Sequence, residues 1–325
     1  MNMHRLIVAS VVLIFGNAAD AAAQSYQARP ITIVLPFAAG GQADVIARAL
    51  ADSMRASLGQ SAIIENVSGA GGNIAVGRVA RAAPDGHTLI LGSASQFVNS
   101  GAVYALPYDL IEDFAPVALV VSSPHMILAT KAVPAKDLGE LIAWIKVNHN
   151  RVSQGHSGLG TGPHLCGIEM QNRLATRWTF VPYRGAAPAM QDLVGGQIDL
   201  ICTTLGSSNA MLRAGQVKAY AIAGKSRLPA VPGIPTVDEA GLPGLHVLAW
   251  YGLWMPKGTP KPVIAKLNQA VAASLEDKTV GTRLADLGLD ARPREMQTPE
   301  ALGAFQKAEI EKWWPIIKAA GVKAE

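Results

Sequence analysis

Ile31-Thr-Ile-Val-Leu-Pro-Phe-Ala-Ala-Gly-Gly-Gln-Ala-Asp44 places an apolar, β-branched run before a turn of small residues, and the turn leads straight into an amphipathic segment. Ile31 to Leu35 reads as a buried strand. From Asp44 to about Leu58, Val45, Ile46, Ala49, Leu50, Met54 and Leu58 recur at helical spacing with Arg48, Asp52 and Arg55 opposite; Asp44 is placed as the N-cap and Gly59 as the stop. A strand-turn-helix of this kind leaves main-chain N–H groups bare at the helix start, where the helix dipole also favours negative charge. Phe37 to Gly41 has no charged side chain, so it reads as an anion seat built from the main chain, against the competing reading of a plain glycine-packed turn. Gly155-His-Ser-Gly-Leu-Gly-Thr-Gly-Pro-His164 repeats the design about 120 residues later, and two such seats facing one ligand would form a clamp.

Working outward, the chain keeps alternating strand and helix. Ser61 to Glu65 reads as a strand, Gly69-Ala-Gly-Gly72 as a loop, the residues through about Ala82 as a helix, Pro84-Asp-Gly86 as a turn and Thr88 to Gly92 as a strand. Val117 to Val121 and Met126 to Thr130 read as two strands leading out of a first lobe. A second lobe comes next, with helices near Leu138 to Val147, Pro163 to Leu174 and Ala187 to Val194. Its strands end at His156 or span Thr179 to Pro182, Ile198 to Thr203 and Val217 to Ala223. Trp250 to Met255 returns to the first lobe, which closes with helices at about Pro260 to Leu275 and Pro299 to Ala320; Trp313 and Trp314 on the last serve packing. This is α/β with parallel βαβ units. The expected domains are 24–125 plus 249–325 and 126–248, with two chain crossovers at a hinge and ligand in the cleft between them.

The 325 residues are 50% apolar and 16% charged, enough to bury a sizeable core and to exclude disorder. The formal charge is +4, but Lys and Arg are scattered without an aromatic-rich basic stripe, so no nucleic-acid partner is expected. A basic start, Met1 to Arg5, precedes the apolar run Leu6 to Gly16 and the small residues Ala21 to Ala23. Residues 1–23 therefore read as a cleavable signal peptide rather than an anchor, the run being shorter than the ~20 residues that span a bilayer. Its removal takes away Arg5 and Asp20 and leaves the net charge unchanged. Cys166 and Cys202 could pair in an oxidising compartment or stay as two buried thiols. With neither a zinc cluster nor a C-x-x-C motif, no metal and no cofactor are expected.

Ser157 with His164 nearby superficially suggests a hydrolase. The G-x-S-x-G pattern fails at Leu159, however, and no phosphate-binding or dinucleotide fingerprint occurs, so an enzyme is not expected. Ser157 and Thr161 offer hydroxyls either to a ligand or to a local cap, and His164 fits a satisfied, half-buried histidine better than a ligand contact. Tyr183 could turn its hydroxyl toward a ligand carboxylate; Arg184 reads as a structural ion pair in preference to a ligand partner, and Asp199 as a buried structural carboxylate or an amine-binding one.

Several segments together resemble the Bug-type, or TctC-like, extracytoplasmic solute receptors of tripartite tricarboxylate transporters. They are residues 29–44, Glu65 to Gly72, Pro84 to Leu89, Asp113 to Val117, Ser157 to Leu165, Val181 to Ala189, Pro235 to Gly241 and Pro256 to Pro260, in family order across nearly the whole mature chain. The resemblance implies a two-domain periplasmic binding protein of the Venus-flytrap, type II-like kind, holding a ligand carboxylate through main-chain groups and ordered water. By motif position Phe37, Ala39, Gly40 and Gly41 would be the first lobe's share; Ser157, Gly158, Gly160, Thr161, Tyr183 and Gly185 would be the second's, with His164 after the second loop. His156, Val147 to Asn150 and the two cysteines depart from the family pattern. The resemblance further implies a monomer that delivers a small carboxylate (a dicarboxylate, tricarboxylate, acidic amino acid or aromatic acid) to a large and a small membrane subunit; signalling to a membrane kinase is the other role. Loops such as Ser93 to Asn99 would set which acid is bound.

Overall fold

The structure, a computed structural model, describes residues 29–37 and 39–324; the expected signal peptide lies outside the described residues. The chain runs β1 (Ile31–Leu35), α1 (Gln42–Leu58), β2 (Ala62–Asn66), α2 (Asn73–Ala80), β3 (Thr88–Ser93), a π-turn (Ser95–Asn99) continuing into α3 (Ser100–Val103), and β4 (Phe114–Thr130). It continues with α4 (Leu138–Asn148), β5 (Ser153–His156), α5 (Gly162–Leu174), β6 (Thr179–Pro182), α6 (Ala186–Val194), β7 (Leu200–Thr204), α7 (Leu205–Arg213), β8 (Val217–Ala223) and β9 (Leu248–Pro256). The last elements are α8 (Lys261–Glu276), α9 (Lys278–Asp286), β10 (Asp290–Ala291) and α10 (Pro299–Ala319).

The strands order as β2-β1-β3-β9-β4-β7-β5-β6, with β8 and β10 also on β4. β1 pairs parallel with β2 and β3, and β5 parallel with β6 and β7. These are the βαβ units expected, and burial on both faces explains the apolar run of β1. The two strands expected at 117–121 and 126–130 are one strand, β4, which pairs with β9 from Phe114 to Pro124 and with β7 and β8 from His125 to Thr130. Pro116 sits where the β4–β9 register shifts, as a residue without an N–H must. Pro124 stands at the last β9 pairing, where the strand changes partners, so the proline that suggests a break marks the crossover instead.

Along α1, Ile46, Leu50, Met54 and Leu58 are buried against β1 and the terminal helices, whereas Val45, expected on that face, is 36% exposed. Gly59 ends the helix in the left-handed region (φ 71°), as expected. Asp44 is not the N-cap: Gly41 holds that position, and the carboxylate of Asp44, three residues on, accepts from Gly40 N–H (3.2 Å), Arg48 (2.8 and 3.1 Å) and Asn66 Nδ2 (3.2 Å). The Arg48 hydrogen bond holds that carboxylate below its ordinary range. α7 and α9 were not expected; both are short, and few of their apolar residues are buried, Leu205 on α7, with Met211 and Leu212 half-buried, and Val280 with Leu284 on α9.

Behind the cleft Phe97 stacks on Trp254 with ring centroids 3.7 Å apart, and Gly92 lies beneath Phe97, where a Cβ would strike the ring. Gln306 from α10 ties this layer together by accepting from Trp254 Nε1 and donating to the carbonyls of Phe97 and Leu110. In the other lobe Cys166 of α5 and Cys202 of β7 form a disulfide with Cα atoms 6.2 Å apart, closing a separation of 36 residues. Replacing both cysteines by serine is expected to lower the unfolding free energy by about 4 kcal/mol, the loop-closure entropy of such a span; urea denaturation of the double variant against the wild type measures it.

Candidate functional site

In both lobes the parallel strands end at the same edge, and the residues just beyond each strand face one cavity of about 1010 Å³. Pro36 and Phe37 come after β1, Ser68 to Gly72 after β2, and Ser93 to Gln96 with Asn99 after β3. From the other lobe come Ser157 to Leu159, Thr161 and Gly162 after β5, Arg184 to Ala186 after β6, and Thr203, Thr204 and Ser207 at the end of β7. Val247 to Tyr251 and His125, from the crossover strands, form the floor. This is the crevice at strand carboxyl ends where open α/β sheets take ligands.

Helix starts therefore converge on the cavity, and they share a chemical trait. α1, α2, α5, α6 and α7 begin at Gly41, Gly72, Thr161, Gly185 and Thr204, and none has a side-chain hydrogen bond capping its first turn. Away from the cavity, Asp137, Asp277 and Thr298 cap α4, α9 and α10 with their side chains. α8 is also uncapped, and Pro262 in its first turn, like Pro163 in that of α5, removes one of the N–H groups to be satisfied. Even the threonines at the cleft do not cap: the Thr161 hydroxyl donates back to the Gly158 carbonyl at 2.7 Å. First-turn amides without a partner are donors waiting for an acceptor, and the dipole behind them favours an anion.

Of the residues expected from sequence, Phe37, Ser157, Gly158, Thr161 and Gly185 are on the cavity wall. Ala39, Gly40 and Gly41 are exposed in the same loop as Phe37, and the Gly40 amide is spent on Asp44. Gly160 and His164 lie behind the wall: Gly160 N–H donates to His164 Nδ1 (3.2 Å), and His164 stacks on His156 with centroids 4.3 Å apart and both rings edge-on to Phe180. Ser157 Oγ reaches Thr161 Oγ1 at 3.5 Å, whereas His164 Nδ1 accepts from the Gly160 amide, so the two residues are engaged with different partners. The Tyr183 hydroxyl does not face the cleft; it donates to Asp192 at 2.6 Å, and burial together with that carboxylate pushes it up to about 12. Asp199 accepts from the Ser153 amide and hydroxyl and is structural. Arg184, read as an ion pair, has none among the described residues and lines the cavity instead.

Sequence reasoning missed His125, Gln42, Thr203, Thr204 and Tyr251, and placed Asn99 only as the end of the loop Ser93 to Asn99 that would set which acid is bound. Thr203-Thr-Leu-Gly206 ends a buried strand and opens a helix, the same grammar as the loops after β1 and β5, and that grammar marks a further seat. His125 leaves no such signal, because only tertiary placement puts it at the crossover, where its amide and Nδ1 both meet the Val247 carbonyl (3.0 and 3.1 Å).

Two lobes joined by crossing strands, with a cleft rimmed by uncapped helix starts, define a solute receptor of the Venus-flytrap class. The chain belongs to the tripartite tricarboxylate transporter family receptors, whose model matches residues 46–322. It is 41% identical over 300 residues to a protein of Agrobacterium vitis from the TAR-I ttuE-ttuC′ intergenic region, covering 92% of this chain and 87% of the relative. Among solved structures it is similar to MatC from Rhodopseudomonas palustris with bound malate (42% identity, TM-score 0.81, 89% of this chain and 99% of that one). It is also similar to a second R. palustris protein with adipate (32% identity, TM-score 0.83, 90% and 98%).

Three buried histidines underlie the site. Burial pushes His125 and His164 down to about 4, His156 adding repulsion to His164, and burial also lowers His156. A histidine titrates near 6.5 when unfolded, so the stability that comes from keeping these rings neutral is complete above pH 6.5 and is lost as pH falls toward 4. The urea midpoint is accordingly expected to fall steadily from pH 7 to pH 4.5, with net proton uptake on unfolding; a flat profile across that range contradicts the assignment.

Proposed function

We propose that the protein is an exported receptor that captures a small dicarboxylate between its lobes and delivers it to the large and small membrane subunits of a tripartite tricarboxylate transporter. The lobes are residues 24–125 plus 249–325 and residues 126–248, and residues 1–23 direct export. The observation that carries this reading is the set of uncapped helix starts at the cavity, beside the side-chain caps on α4, α9 and α10 elsewhere. Such starts hold carboxylates, phosphates and sulfates alike without a dedicated cation. The malate and adipate in the two similar structures support a dianion of four to six carbons. Phe37, Ala39, Gly40 and Gly41 shape one seat, and Ser157, Gly158, Gly160, Thr161 and Gly185 the other. His164 and Tyr183 hold the second seat from behind through Gly160 and Asp192.

Arg184 is the lone Lys or Arg on the cavity wall among the described residues, and the wall they form carries no carboxylate. It supplies the net charge that neutral main-chain dipoles lack, which favours a second carboxylate on the ligand over a neutral group. The pair is solvated, so its contribution is modest.

Isothermal titration calorimetry with L-malate, succinate, adipate, citrate, L-glutamate and benzoate tests the reading. Binding of at least one dicarboxylate at one site per chain is expected, and folded protein that takes up none of the six overturns it. Arg184→Gln is expected to weaken the bound dicarboxylate about fivefold and to leave a monocarboxylate unchanged; equal affinity for the dicarboxylate removes Arg184 from the site.

A further inference from the structure

Besides the ligand seats, the protein makes contacts of its own across the cleft, at two seams. At the first, Asn99 in the π-turn of one lobe donates from Nδ2 to the carbonyl of Gly160 in the loop of the other at 2.7 Å, and the bond is buried. Because the acceptor is a carbonyl, the orientation of the Asn99 amide is set by this contact. Gly160 adopts φ +68° and lies against Val103, with a Cβ at 160 coming 2.7 Å from Val103 Cγ2. At the second seam Gly206, in the first turn of α7, meets the Leu287 carbonyl, 2.7 Å from where its Cβ would stand, and Gly288 fits against Leu205. In both places backbone from one lobe seats on the other with no room for a side chain.

We propose that Asn99 is a positioning residue: by bonding Gly160 it docks the loop Ser157–Thr161 against the first lobe only when the lobes are shut. Together with the Gly206–Leu287 seam it gives the closed form a stability independent of ligand. This rests on the two-lobe receptor described above and deepens it, since ligand then selects a closed form that the free protein already populates. The latch is self-limiting. Asn99 Oδ1 is buried with no hydrogen-bond partner among the described residues, so closing strips water from an acceptor and gives nothing back, which keeps opening accessible. Gly160 N–H is committed to His164, so the loop moves as a unit braced from within its own lobe.

Small-angle X-ray scattering of the ligand-free full chain, paired with calorimetry using L-malate and adipate, tests the proposal. The wild type is expected to scatter as a compact, closed particle. Gly160→Ala puts a methyl into Val103 and is expected to raise the radius of gyration and weaken whichever probe binds by about tenfold. Adding Val103→Ala makes room for that methyl and is expected to restore compaction, which separates a blocked seam from mere strain at a positive φ. Asn99→Ala leaves the backbone conformation alone and is expected to shift the free protein toward open as well, so a folding failure of the glycine variant does not stop the test. A wild type that is open without ligand, or Gly160→Ala and Asn99→Ala variants as compact as the wild type, overturns the latch. Failure of both probes to bind the wild type counts against the carboxylate reading and leaves the scattering result standing.

Discussion

The structure depends on one constraint: parallel strands that end at a common edge must send their helices away from it, so every helix points its N-terminus back toward that edge. Here five such starts from two lobes reach a single cavity and none is closed by a side chain. A buried amide without an acceptor costs free energy, so the open starts are tolerable only where water or a ligand reaches them. Glycine at Gly41, Gly72 and Gly185 keeps side chains out of the way of whatever fills that role. Anion recognition in this fold is thus a by-product of topology that the local sequence has left uncovered.

The same economy explains why the walls behind the seats are so well bonded. A loop that offers its amides outward must be held by other groups, and here Asp44 braces the first loop through Gly40, Arg48 and Asn66. In the second lobe the paired rings of His156 and His164 take up Gly158 and Gly160. The disulfide then ties α5 to β7, so the starts of α5 and α7 cannot drift apart. Rigid seats on two bodies, joined by β4 and the entry to β9, make relative motion of the lobes the soft coordinate.

Much of this was legible in the sequence. β6 and β8 were bounded to the residue, because each is a short, mostly apolar run set between turn residues. The glycine-rich loops after β1 and β5 announced themselves because few other residues tolerate the required backbone; Gly158 sits at φ +124°. The features that could not be read depended on partners distant in the chain. The Tyr183 hydroxyl is claimed by Asp192, Arg184 lacks the expected ion pair among the described residues, and His125 gains its place only when two crossing strands meet. The π-turn at Ser95–Asn99 read as a variable loop because its buried face, Gln96, Phe97 and Asn99, mixes polar and aromatic residues in no helical pattern.

The most direct test of the account is a crystal structure of the protein with a dicarboxylate bound. Carboxylate oxygens are predicted to lie about 3 Å from main-chain nitrogens at helix starts of both lobes, after Phe37 on one side and within Ser157–Gly162 or Gly185–Ala186 on the other. An anion held by one lobe alone, or seated outside the cleft, would contradict it.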